Sequence, residues 1–207
     1  MYLDYAEPTA NILNYTSPGY KAFPVEYDLQ EAKRLAHEVL GDKRCEITYC
    51  INGNEPLQKG EAELIAYWLQ DIGLDVKIKA IEYATLSKMM RKGEFNIVRI
   101  QKGLANGDPF SALYTFIMPD GALNVSNSSG YNNPEVIELM NKVKHITDEV
   151  ERQRVFDRVQ EIVVYEQPVI PLFNDMNIVA YNKRLKNYKP LIYGVDLSKV
   201  ELAEKYD

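Results

Sequence analysis

The run CEITYCINGNEPLQKGEAELIAYWLQDIGLDVKIKAI, residues 45–81, decides the fold. Cys45 to Ile51 has the β-branched and aromatic content of a strand. Leu57, Leu64, Ile65, Trp68, Leu69 and Ile72 then recur at three- and four-residue steps. That spacing predicts a helix over 57–72 with Gly73 as its stop and Trp68 in its core-facing stripe. Asp75-Val76-Lys77-Ile78-Lys79-Ala80-Ile81 alternates polar and apolar residues, the period of a strand with one wet face. Strand, helix and strand in that order make one βαβ unit.

The same alternation extends in both directions. Upstream, Asp28 with Glu31 predicts a capped helix whose apolar stripe is Ala32, Leu35, Ala36 and Val39 and which ends at Gly41. Downstream, Thr85 is placed to cap a short helix through Met90, closed by Gly93, and Phe95 to Ile100 reads as a third strand. Residues 28–100 therefore predict an α/β fold with a mostly parallel sheet flanked by helices. Further on, Asn133-Pro134 is a cap followed by proline at the first helical position, with Val136, Ile137, Met140 and Val143 on one side. Asp148 with Glu151 opens another helix, buried through Val155, Val159, Ile162 and Val163. Its Arg152, Arg154 and Arg158 share the helix with Glu149, Glu151, Asp157 and Glu161 and read as a solvated ion-pair face. Residues 169–173 and 178–181 are two short candidate strands, and Pro171 restricts the first to an edge or a kink. The organisation is an irregular arm at 1–24, an α/β body at 25–181 and a second irregular arm at 182–207. Both arms are aromatic-rich and expected to pack on a neighbour.

The 207 residues suffice for a real core, and 46% apolar with 26% charged residues is ordinary globular composition. Twenty-four basic against 30 acidic residues leave a net charge of −6, which argues against general nucleic-acid binding through phosphate neutralisation. The apolar stretch from Pro109 to Pro119 is too short to span a membrane, so no transmembrane segment is expected. Met1 to Pro8 lacks the basic and apolar regions of a secretory signal. Cys45 and Cys50 fall on opposite faces of one strand and cannot bridge to each other. His37 and His145 lie on different helices with no Cys or His at ligand spacing, so no metal site is expected.

Neither a nucleophile elbow, a phosphate loop nor a dinucleotide fingerprint is present. Lys102-Gly103-Leu104-Ala105-Asn106-Gly107-Asp108-Pro109 follows the third strand directly, at the carboxyl edge where open α/β sheets bind ligands. A second polar segment, Asn124 to Asn133, offers amides and hydroxyls without fixed charge. It either lines a pocket for a polar solute or is a solvated loop leading to the helix cap at Asn133. Asp108 before Pro109 reads as a helix-start or turn residue. Fifteen tyrosines suit surfaces that are wet on one side and apolar on the other, favouring an interface or a ligand cleft.

Five landmarks in order resemble the peptide-, dipeptide- and nickel-binding solute receptors of ABC importers, family 5, in their C-terminal lobe. They are Tyr27 to Leu35, the helix Ala62 to Gly73 running into Leu74-Asp75-Val76, the loop Asn106-Gly107-Asp108-Pro109, Ser129 to Glu135, and Gln167 to Leu172. The resemblance covers nearly all of the chain and implies one lobe of a type II periplasmic-binding-protein-like fold. It implies a binding protein without catalytic residues, metal ligands or cofactor, holding a small polar solute, an oligopeptide or a metal chelate, in an interlobe cleft. Its partners would be an N-terminal lobe missing from this chain, which the two arms would join, and an ABC permease. Its place would be extracytoplasmic, periplasmic or as a cell-surface lipoprotein. By the same resemblance the solute would touch Lys102, Leu104, Ala105 and Asn106 of the loop and Asn127, Ser128 and Tyr131 of the polar segment. Peptide-binding members carry an aspartate for the peptide ammonium group where this chain has Ala105, and nickel-type members resemble it around Tyr188-Lys189-Pro190. The competing classes are an α/β enzyme using Asp108 or Lys102, and an interaction module derived from such a lobe.

Overall fold

Helix starts in this protein are written in cap chemistry. A computed structural model describes residues 5–103, 108–176, 178–191 and 196–203. In it α1 (Leu29–Leu40) begins where the Asp28 carboxylate accepts the Glu31 N–H, and it ends at Gly41, whose φ of 61° is one that few other residues adopt. β2 (Cys45–Asn52), preceded in the chain by β1 (Ala6–Pro8), leads into α2 (Pro56–Gln70), with Pro56 in the first turn where its missing N–H costs nothing. β3 (Leu74–Ile81), α3 (Tyr83–Lys92) and β4 (Ile97–Val98) complete the alternation. The strands form a parallel sheet in the order β3-β2-β4, in register from Cys45 opposite Leu74 to Asn52 opposite Ile81.

Alternate β2 residues divide between the two sheet faces. Tyr49 and Ile51 pack with Ala62 and Ile65 of α2, whereas Cys50 packs with Leu86 and Met90 of α3. A second, helical core follows, from α4 (Pro109–Ile117), α6 (Pro134–Val143) and α7 (Glu149–Glu166), with the short α5 (Ala122–Ser126) between. Leu113, Ile117, Val136, Met140, Val143 and Val159 are fully buried there. Each such side chain contributes about 1.5–3 kcal/mol relative to exposure. The α4–α5 turn requires Gly121, because a Cβ there would stand 2.3 Å from the Tyr114 carbonyl oxygen and 2.7 Å from that of Thr115.

Several expectations are corrected. The α1 stripe is not buried, since Leu35 is 48% and Val39 84% exposed. Trp68 is 53% exposed, because the buried face of α2 runs through Gln58, Glu61, Ala62 and Ala66, rotated from the apolar stripe. The cap of α3 is Glu82, whose carboxylate accepts the N–H groups of Ala84 and Thr85, so Thr85 lies inside the helix. The third strand shrinks to two paired residues. After α7 the paired strand is β5 (Phe173–Asp175), beginning once Pro171, which has no N–H to give a ladder, is passed. Residues 178–181 form no strand. The polar segment is no open loop at its start, being helical through Ser126. On the ion-pair face, Arg158 pairs with Glu135 and Glu161, but Arg152 lies over the Phe156 ring with its Nε buried and unbonded.

The opening arm finds a packing partner within the chain. Residues 6–8 pair antiparallel with residues 173–175, extended by bonds from the Thr9 N–H to the Leu172 carbonyl and from the Met176 N–H to the Tyr5 carbonyl. Leu13 is fully buried in the helical core, and Asn11 bonds Gln160 of α7. The closing arm pairs with itself, through β6 (Leu185–Lys186) and β7 (Glu201–Leu202).

Candidate functional site

Parallel strands all point their carboxyl ends to one edge, here Asn52, Ile81 and Val98, and the chain leaving β4 at that edge is the segment expected to meet solute. Arg99 leaves the sheet there with its guanidinium against Glu61 of α2, Nε to Oε2 at 2.7 Å. Both side chains are nearly buried, at 11% and 6% exposure. The same guanidinium donates to the Ile100 carbonyl and sits 5.4 Å from the centre of the Phe173 ring. Burial pushes the Tyr49 hydroxyl up, with Arg99 opposing and Glu61 reinforcing the effect. Sequence reasoning missed this pair. Its one signal was a charged residue near the end of a mainly apolar strand run, and its partner sits on the α2 face that the apolar periodicity had turned outward.

Lys102 follows, exposed, beyond Gln101, whose Nε2 donates to Asp175 Oδ2 at 2.6 Å. Leu104, Ala105 and Asn106 lie outside the described residues. Asp108 is the N-cap of α4: its carboxylate accepts the Phe110 and Ser111 N–H groups at 3.3 and 3.0 Å and the Ser111 hydroxyl at 2.7 Å. Partial burial would raise its carboxyl, but these bonds and the Arg152 charge outweigh that and hold it below the usual range. Such a carboxylate is a weak proton acceptor at neutral pH.

The polar segment is organised around Asn124, which is 4% exposed. Its amide donates to the Met118 and Tyr131 carbonyls, both at 2.9 Å, and its carbonyl accepts the Ser129 hydroxyl at 2.6 Å. Around that anchor Ser128, at a φ of 49°, donates to the Arg91 carbonyl at the end of α3, and Asn127 is half-buried beside it. The Tyr131 hydroxyl donates to Glu166 at 2.6 Å, and Asn133, the cap of α6, donates to the same carboxylate at 2.8 Å. The Tyr131 and Asn133 bonds hold Glu166 below the ordinary carboxylate range. Desolvation, then the Glu166 bond and charge, push the Tyr131 hydroxyl well up. Asn127, Ser128 and Tyr131 thus share one turn, which the Ser128–Arg91 bond ties to the C-terminal end of α3, on the amino side of the parallel sheet, whereas Lys102 leaves β4 on the carboxyl side; the structure does not bring the two candidate segments together.

Among the described residues no three His, Cys, Asp or Glu side chains gather as metal ligands, and no helix is long and apolar enough to cross a membrane. An open depression lined by Lys33, His37, Leu40 and Gly73 lies at the amino ends of β2 and β3, the wrong end of the sheet for the edge described above.

A parallel sheet flanked by helices on both faces, with a ligand-type carboxyl edge, is the fold of one lobe of a type II periplasmic binding protein, and comparison with known proteins places it there. The model of the bacterial extracellular solute-binding proteins, family 5, matches residues 1–124, and the chain belongs to that family. The probable D,D-dipeptide-binding periplasmic protein DdpA of Escherichia coli is 26% identical over 82% of the chain, which covers 33% of that protein. The periplasmic binding protein DppA of Helicobacter pylori, solved with the peptide STSA, superposes with a TM-score of 0.81 at 29% identity. It covers 96% of this chain, which spans 39% of it. NikA of Staphylococcus aureus, solved with a nickel–histidine complex, gives a TM-score of 0.79 over 98% of the chain and 44% of NikA; at 21% identity it shows the fold alone. The chain thus spans about a third of the curated relative's length.

Proposed function

We propose that this chain is the C-terminal lobe of the solute-binding component of an ABC importer, holding a small polar solute, an oligopeptide or a metal chelate, against an N-terminal lobe. The observation that carries the reading is the ribbon: residues 5–9, entering the α/β body, run antiparallel to residues 172–176, leaving it. Two strands side by side are a natural tether for a lobe that must open and close on its counterpart. Binding without covalent change is the reading favoured by the carboxyl edge, where the exposed Lys102 offers directed hydrogen bonds to a polar solute. The Asp108 carboxylate is already engaged as a cap. Ala105, uncharged where peptide-binding members carry aspartate, favours a solute held by neutral groups over one gripped by its ammonium ion. The complete receptor would work outside the cytoplasm beside an ABC permease.

Closure buries solute only when both lobes touch it, so half a site binds weakly. The test is calorimetry with a panel of di- to tetrapeptides and a nickel–histidine chelate, on this chain and on the chain joined to an N-terminal family 5 lobe. Stoichiometric uptake by the joined form and weak uptake by this chain alone are expected. Tight, stoichiometric uptake by this chain alone, or turnover of any panel member, overturns the proposal.

A further inference from the structure

Arg99, Ile100 and Gln101 stand where three parts of the lobe meet. Arg99 is held to the sheet layer through Glu61 of α2. Ile100 packs against both the helical core and the α3 layer. Gln101 reaches Asp175 of β5 at 2.6 Å, and Arg99 lies 5.4 Å from the Phe173 ring. Phe173 and Asp175 are two apart on one strand, so they share a face, and that face meets residues 99–101. The next residue along the chain is Lys102, the start of the candidate solute segment.

Resting on the function proposed above, we infer that Gln101 and Asp175 are positioning residues that couple the solute segment to the β1/β5 ribbon. The ribbon is the path by which the chain enters and leaves the body. A change in its angle must therefore strain the Gln101–Asp175 contact or carry the segment after β4 with it. By thermodynamic reciprocity, anything that fixes the segment beginning at Lys102 also fixes the ribbon. The arrangement suits such a joint. Arg99 and Glu61 are nearly buried and keep the end of β4 fixed, whereas Gln101 and Asp175 are exposed and can part without opening the core.

The test needs no solute, so its outcome is independent of the calorimetry above. Amide hydrogen exchange is followed in the whole chain at Thr9 and Met176, whose N–H groups bond across the ribbon. Gln101→Glu sets two carboxylates face to face. It is expected to speed exchange at both ribbon amides about three- to tenfold, the size of a lost exposed hydrogen bond. Gln101→Glu with Asp175→Asn restores the bond with donor and acceptor exchanged, and wild-type rates should return. Val159, in the helical core, should keep its rate in both variants and so report that the fold is intact. Unchanged exchange at Thr9 and Met176 in the single variant, or failure of the double variant to restore it, overturns the inference. A positive result with no solute uptake rejects the importer reading alone.

Discussion

Replacing Gln160 with leucine tests how firmly the opening arm belongs to this body. Gln160 is 1% exposed on α7, and its side chain spans the gap to the arm at both ends. Oε1 accepts from Asn11 Nδ2 at 2.7 Å and the Lys21 N–H at 3.0 Å, while Nε2 donates to the carbonyls of Gly19 at 2.8 Å and Phe156 at 3.0 Å. Leucine fills a similar volume and makes none of these bonds. Two of the partners keep alternatives, since Asn11 Nδ2 still reaches the Lys21 carbonyl and the Gly19 carbonyl still receives Gln153. The Lys21 N–H loses its acceptor. A half-buried polar group so orphaned costs about 1–3 kcal/mol. In a chain of this size that lowers the melting temperature by roughly 2–10 °C. Far-ultraviolet circular dichroism during urea and thermal unfolding reads the loss, and amide exchange at Leu13 and Lys21 shows whether the arm lifts. A loss below about 0.5 kcal/mol with both amides still protected would refute the reasoning, because the arm would then be held by apolar packing alone.

Three further outcomes follow from the same structure. Arg99→Ala takes the ion-pair partner from the nearly buried Glu61 and should cost about 3–5 kcal/mol, whereas Glu61→Leu combined with Arg99→Leu should recover most of it; urea denaturation of the set decides. Asp108→Ala removes the α4 cap and should cost about 1 kcal/mol at neutral pH. Because the folded Asp108 carboxyl sits below its unfolded value, its contribution is present above about pH 4 and is lost as pH falls through the folded value. Asp108→Asn, keeping a capping oxygen, should flatten that limb of the stability–pH profile. Trp68→Ala should cost about 1.5–2.5 kcal/mol by the same denaturation assay, against about 3–5 for a fully buried aromatic, since the ring is half exposed.

How far the candidate site was legible varies with the reach of the interactions. The turn around Asn127, Ser128 and Tyr131 could be named from its run of amides and hydroxyls. That Asn124 is the buried anchor, tied to Met118 and Tyr131, depends on a helix end returning beside it. Glu166 closes the same turn from the end of α7, far along the chain, and no local spacing pointed to it. Glu61 and Arg99 escaped for a related reason: hydrophobic periodicity turned α2 by its apolar stripe, but the sheet buries the face carrying Gln58 and Glu61.

By itself the sequence determined what is local: the caps at Asp28, Asp108, Asn133 and Asp148, the stop at Gly93, and the alternation of elements that makes the sheet parallel. These depend on backbone groups within a few residues, so composition and spacing suffice. Only the tertiary structure decided which side of each helix is wet, that Pro171 delays β5 to Phe173, and that residues 5–9 and 172–176 join into one ribbon bound to Gln101. Those choices are made by partners far apart in sequence, 38 residues for Glu61 and Arg99, 74 for Gln101 and Asp175 and more than 160 across the ribbon, where burial and pairing outweigh local propensity.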